Sequence, residues 1–289
     1  MTSQRPDKKN LSHSNEISEL WRGQSLELLK ELHILTRDGK LNADSRRKLK
    51  QVYHLVQFIE PLIKDLYQHH SDPVIIDVGA GKSYLGFILS DLVLRNYSGG
   101  KMISIESRED LVKKSADLAT ASGFDRMQFI DSTIEEATSR LQTTTPSVQM
   151  ICALHACDTA TDDAILLGLK HNVEKFVLVP CCQAELARQL DTSPPAEAVT
   201  EGLWRFPLHR REFGSHLTNV IRVLYLESLG FKVTVTELIG WEHSMKNELI
   251  IAERGPNAKG NERSANQLRA LLAQTGVQPK LLLETEFDH

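Results

Sequence analysis

The sequence predicts an α/β protein: six parallel strands and a reversed seventh in one sheet, helices on both faces, and a helical N-terminal extension. Three observations carry this. Short Val- and Ile-rich segments alternate with helical ones from Pro73 onward, the pattern of a parallel sheet buried on both sides. Only "WEHSMK" separates the last two strand-like runs, too short a link for a helical crossover, so those two strands are expected to be antiparallel. At 289 residues with 41% hydrophobic and 25% charged, the chain has material for one large domain with a modest extension.

Residues 1–15 are polar. The spacing of Ile17, Leu20, Trp21, Leu28, Leu29 and Leu32 predicts a helix, and a second is expected after "NADS", with Leu49, Val52, Tyr53, Val56 and Ile59 on one face. "HHSDP" (69–73) marks a loop because Pro73 biases Asp72 away from helix. Strands are predicted at "VIIDV" (74–78), "KMISIE" (101–106), "MQFID" (127–131), "VQMICALH" (148–155) and "KFVLVP" (175–180). Helices fill the intervals 84–94, 108–121, 133–141 and 161–171, and another near 215–229 leads into "GFKVTVTELIG" and then "NELIIAE". "RGPNAKGNERS" and "ANQLRALLAQ" read as a linker and a small terminal helix. The expected division is a helical extension (1–72), a catalytic domain (73–254) and a tail (255–289).

With 34 Lys and Arg against 38 Asp and Glu, the net charge of -4 supplies no general attraction for polyanions, so a nucleic-acid partner needs a local basic patch. No apolar run approaches the roughly 18 residues of a membrane span, and "MTSQRPDKKN" lacks a signal-peptide core, so the default expectation is a cytoplasmic protein without a membrane partner. Cys152, Cys157, Cys181 and Cys182 lie in two tight groups at strand ends, a pattern of reduced thiols rather than a disulfide framework.

The turn "VIIDVGAGKSYLG" admits three nucleotide readings. A P-loop requires its first glycine where Ile76 stands, inside the strand. A dinucleotide fingerprint requires its third glycine where Tyr84 stands, with Gly86 arriving late. What remains is Asp-x-Gly-x-Gly, "DVGAG" from Asp77 to Gly81, the first motif of S-adenosylmethionine (SAM) enzymes. SAM carries a sulfonium, an amino group and a carboxylate but no phosphate, so an acid at the strand end favours it where a pyrophosphate is repelled. Gly79 and Gly81 supply backbone freedom, and Lys82 either draws in the SAM carboxylate or faces solvent. Glu106, ending the second strand, suits ribose hydroxyls; Asp131, ending the third, suits the adenine amino group, with Ser132 beside it and Leu154 near the end of the fourth strand completing the predicted contacts.

On these motifs, residues 73–254 resemble the class I SAM-dependent methyltransferase superfamily, which implies a Rossmann-like seven-stranded sheet and SAM as cofactor. More narrowly, "DVGAGKSYLG", "LHACDTATD", "VPCCQAEL" and "EHSMKNELIIA" are similar to a bacterial and eukaryotic methyltransferase-domain group related to tRNA acceptor-stem 2'-O-methyltransferases. Asp158 replaces the glycine and Gln183 the histidine of the tRNA enzymes' motifs, and their Cys- and His-rich zinc module is absent from the N-terminal region.

His155, Cys157, Asp158, Asp162, Cys181 and Cys182 are expected to converge beyond the strand ends. A histidine or aspartate there suits proton removal from a nucleophile; a cysteine suits attack on pyrimidine C6; a packed turn placing the SAM amino group and a metal site are the other readings, and no metal is predicted. "LWRFPLHRREFGSH" adds Arg205, His209, Arg210, Arg211 and His216 to Trp204, Phe206 and Phe213, a combination suited to phosphates and unpaired bases of RNA, against the plainer reading of a solvated helix face. "DSRRKLK" (44–50) extends that surface, while Lys246 and Asn247 close a hairpin. The expected activity is methyl transfer from SAM, with RNA as acceptor. An NAD-dependent oxidoreductase using Glu106 for ribose, and a non-catalytic SAM- or RNA-binding protein, stay open as second readings.

Overall fold

The computed structural model describes residues 19–285, apart from 22–23, 146, 155, 182, 193–200 and 239–247, together with residue 287. Its strands are β1 (Val74–Val78), β2 (Lys101–Glu106), β3 (Met127–Asp131), β4 (Met150–Ala153), β5 (Lys175–Leu178), β6 (Lys232–Glu237) and β7 (Glu248–Glu253). They form one sheet in the order β3-β2-β1-β4-β5-β7-β6. β1 to β5 pair in parallel, and β7 is antiparallel to both β5 and β6, leaving six strands in one direction and one reversed. This is the class I methyltransferase sheet. β5 stops short of the predicted "KFVLVP": Val179 still donates to the Ala153 carbonyl, but Pro180 has no amide to continue the ladder.

The helices are α1 (Leu26–Glu31), α2 (Ala43–His69), α3 (Tyr84–Leu92), α4 (Glu109–Ser122), α5 (Ile134–Thr144), α6 (Ala160–Lys170), α7 (Glu185–Thr192), α8 (Pro207–Ser228), α9 (Glu262–Thr275) and α10 (Lys280–Leu283). α2 begins where the Asn42 side chain accepts from the Ser45 amide and buries Leu49, Val52, Val56, Ile59, Ile63 and Leu66 at helical spacing. Two expectations are corrected. Leu20 and Trp21 lie outside any helix; α1 starts only at Leu26, after the Ser25 hydroxyl takes the Leu28 amide, and Trp21 stacks on Tyr53 instead. α8 starts at Pro207 rather than near Ser215, since proline at the first helical position has no amide to waste. The Lys246 and Asn247 hairpin lies outside the described residues.

Successive strand residues feed opposite cores, as pleating requires. Ile75, Met102 and Val177 pack with α2 and α3 residues such as Ile59 and Leu89; Ile76, Ile103 and Leu178 pack with Leu141, Leu167, Ile221 and Leu272 of α5, α6, α8 and α9. Inside the second core, Arg222 of α8 is 1% exposed. Its guanidinium donates to both Asp162 oxygens (2.6 and 3.0 Å) and to the Asp158 carbonyl (2.8 Å). Burial still raises the Asp162 pKa despite Arg222, so the pair fixes geometry at a desolvation cost. Arg222→Met, which strands a buried carboxylate, is expected to lower stability by about 3–5 kcal/mol in urea unfolding, whereas Arg222→Met with Asp162→Leu recovers most of that loss.

Candidate cofactor site and thiol rim

The predicted acids sit on three adjacent strands at their carboxyl ends. Asp77 pairs in register with Ser104 on one side and Cys152 on the other, and Glu106 pairs with Asp131. Gly79 and Gly81 adopt φ of +65° and +58°, the left-handed region that favours glycine. Between them the Ala80 amide donates to the Ile105 carbonyl, and the Gly81 amide donates to Glu106 Oε2 at 2.7 Å. The turn after β1 is thereby tied to the end of β2.

Asp77 is 2% exposed, and its carboxylate makes no hydrogen bond among the described residues. Burial, helped by the nearby Glu106 charge, pushes its pKa up to about 7. Glu106 is 7% exposed but differently served. Burial pushes its pKa up, but the Arg108 guanidinium and the Gly81 and Arg108 amides outweigh burial and hold it below the usual range. Arg108, which sequence reasoning missed, follows the acid by two positions in "ESR". Asp131 and Lys82 face solvent, Ser132 is half-buried with its amide on the Glu106 carbonyl, and Leu154 is buried.

The second cluster lies where β4 and β5 leave the sheet. Ala156 packs against Gly79: a Cβ there would lie 3.7 Å from the Ala156 backbone. Cys157 is exposed, Cys181 is half-buried, and their sulfurs are 3.0 Å apart. His155 and Cys182 lie outside the described residues. Cys152 is enclosed in β4; burial and then the Asp77 charge raise its thiol well above the usual range, which makes it inert.

Asp158 is not placed as a proton acceptor. One oxygen takes the Ala184 and Glu185 amides at 2.8 and 3.0 Å, and the other takes Arg188 at 2.9 Å. Burial raises its pKa, but these donors win and hold it below the usual range. It caps α7 and stands in left-handed backbone (φ 53°), a conformation L side chains rarely adopt. Asp162 is likewise committed to Arg222. A buried polar network that sequence reasoning also missed holds the β5 exit: Gln183 accepts from Ser215 and donates to Asn219, which donates to Glu248.

The basic and aromatic segment divides. Trp204 is 3% exposed and packs with Phe213, ring centroids 5.4 Å apart, so both belong to the core rather than to a stacking surface. Arg210 pairs with Asp191 and Arg211 with Glu212. Phe206 stays 54% exposed, with the Arg205 guanidinium 5.6 Å from its ring centre and His209 edge-on at 5.7 Å. In 44–50, Arg46 pairs with Glu19, and Arg47 and Lys48 with Asp44. No helix among the described residues is long and apolar enough to cross a membrane.

A carboxyl that ionises near pH 7 in the fold, as Asp77 does, and near pH 4 in the unfolded chain costs the ligand-free protein on the order of 4 kcal/mol above pH 7. Below about pH 4 both states hold the proton; the cost grows as pH rises from there and is complete above pH 7. Asp77→Asn is therefore expected to raise the ligand-free melting temperature, with a gain at pH 8 more than twice that at pH 5 in a thermal scan.

Residues 47–189 match the family model described as a methyltransferase domain. A search of curated proteins finds no match. Solved structures similar to this chain include an O-methyltransferase from Bacillus cereus in complex with S-adenosylhomocysteine (12% identity, 79% of this chain and 88% of that one, TM-score 0.47). Magnesium protoporphyrin IX methyltransferase from Synechocystis PCC 6803 with bound S-adenosylhomocysteine is another (12%, 80% and 95%, TM-score 0.44). An rRNA methylase from Streptococcus thermophilus is a third (12%, 64% and 87%, TM-score 0.41). At those scores the structural likeness adds nothing to what the strand order already gives. Residues 47–189 thus match a methyltransferase-domain model, and the seven-stranded order and the glycine turn frame that match.

Proposed function

We propose that the Asp77–Glu106 rim binds SAM and that the enzyme methylates RNA. The observation that carries the cofactor site is a buried carboxylate, Asp77, without a protein hydrogen-bond donor among the described residues beside a left-handed glycine turn. A cationic ligand relieves that burial, whereas a pyrophosphate at the same turn faces two acids. Asp77 would hold the cationic end, Glu106 the ribose hydroxyls and Asp131 the adenine amino group. When bound, SAM supplies a methyl group on a positively charged sulfur, ready for an acceptor's lone pair.

RNA is favoured by the exposed Arg205, Phe206 and His209 group. β6 runs with β1 to β5, so α8, which feeds it, starts toward their carboxyl ends. Ser215 meets Gln183 just after the cysteines; Phe206 is nine residues earlier, about 13 Å farther out along the α8 direction. A stacking ring with a guanidinium at that height suits an unpaired base and its phosphate. The cations of 44–50 are largely paired, so that stretch is assigned the smaller share.

SAM binding is expected to tighten as pH rises from 6 to 8 because Asp77 ionises across that window, while adenosine, which has no cation, binds without that trend. Calorimetry on Asp77→Asn should show the slope gone. In a second measurement, tritiated SAM should label RNA in extracts, and Arg205→Ala with Phe206→Ala should cut that label at least tenfold while leaving SAM affinity unchanged. Label in protein or small molecules, with none in RNA, contradicts the acceptor assignment.

A further inference from the structure

We propose that Cys157 and Cys181 form a peroxide-sensitive dithiol, a modification site whose oxidation to a disulfide closes the methyltransferase site. Its chemistry is independent of the cofactor reading; only the closure rests on it. The sulfurs lie 3.0 Å apart, within about 1 Å of a disulfide bond length. They belong to the exits of neighbouring parallel strands, β4 and β5, whose last residues Ala153 and Leu178 are register partners. Both exits are clamped independently of the thiols. Asp158, next to Cys157, binds the Ala184 and Glu185 amides and Arg188, and its carbonyl takes Arg222. Gln183, two residues beyond Cys181, is held by Ser215 and Asn219. Such a frame presents one sulfur to the other at high effective concentration.

Cys157 is exposed, so a peroxide reaches it first. The Cys157 sulfur attacks one peroxide oxygen, the O–O bond breaks, and sulfenic acid and one water form. The Cys181 sulfur then displaces that hydroxyl, which leaves as a second water with the Cys181 proton as the S–S bond forms. Two thiols lose two electrons, and one peroxide gains them. Ala156, between this turn and Gly79, transmits the pull to the glycine turn. Cys152, buried in β4, stays outside the exchange.

The test uses the purified full chain, treated with one equivalent of hydrogen peroxide, blocked with N-ethylmaleimide and digested with trypsin, which separates the two cysteines after Lys170 and Lys175. Expected is a cross-linked peptide pair, lighter by about 2 Da than the two free peptides, assigned to Cys157 and Cys181 by fragmentation, released by dithiothreitol. It persists in Cys182→Ser and disappears in Cys157→Ser. Alkylation of both thiols, separate sulfinic acids, or a Cys181–Cys182 link overturns the dithiol. In calorimetry, the oxidised protein should bind SAM at least tenfold more weakly, with recovery on reduction and no peroxide effect in Cys157→Ser. Equal affinity in both forms overturns the closure. Failure of the reduced protein to bind SAM removes the closure and the cofactor reading together, while the peptide map still decides the dithiol.

Discussion

The burial of two carboxylates beside one glycine turn is the constraint around which the rest of the molecule is arranged. Glu106 gains its place from the Gly81 amide and Arg108, so the acid and the turn hold each other. Asp77 has no such compensation among the described residues and pays in stability for a position in which only a cation makes its charge favourable. Strain of this kind, unsupported in the ligand-free protein, is what a ligand site leaves behind. In the proposed cofactor site the same pair of charges would favour a cationic ligand over the pyrophosphate of a dinucleotide.

Across the rim the logic is reversed: Asp158, Asp162 and Gln183 are hydrogen-bonded, and they hold backbone and helices in place. Asp158 and Arg222 pin the exit of β4 to α7 and α8, and Gln183 with Asn219 pins the exit of β5. Asp158 and Asp162, which read as proton acceptors in sequence, are thus framework, and among the described residues of the cluster Cys157 and Cys181 stay at the rim. A methyl acceptor placed here meets a rigid wall, which suits chemistry governed by alignment more than by base strength.

The first three strands were legible to the residue, because short apolar runs bounded by turn and helix signals left little choice of period, and an acid stands at or near the end of each. The antiparallel pairing of β6 with β7 followed from the shortness of the link between them, whereas the place of β7 between β5 and β6 did not. α7 was not foreseen: its cap, Asp158, lies 26 residues from Ala184, and nothing local announces it. Trp204 and Phe213 looked like a stacking surface because cations surround them in sequence, yet burial of large rings outweighed that company. Arg222 carried a usable signal, a charge beside Thr218, Ile221 and Tyr225 on the buried stripe of α8, and such a charge calls for a buried partner.

The most direct measurement is calorimetric titration of the protein with SAM and, separately, with NAD. The account predicts that SAM binds, that NAD does not, and that Asp77→Ala with Glu106→Ala abolishes the SAM heat. Binding of NAD at this turn, or SAM affinity unaltered in the double variant, contradicts it.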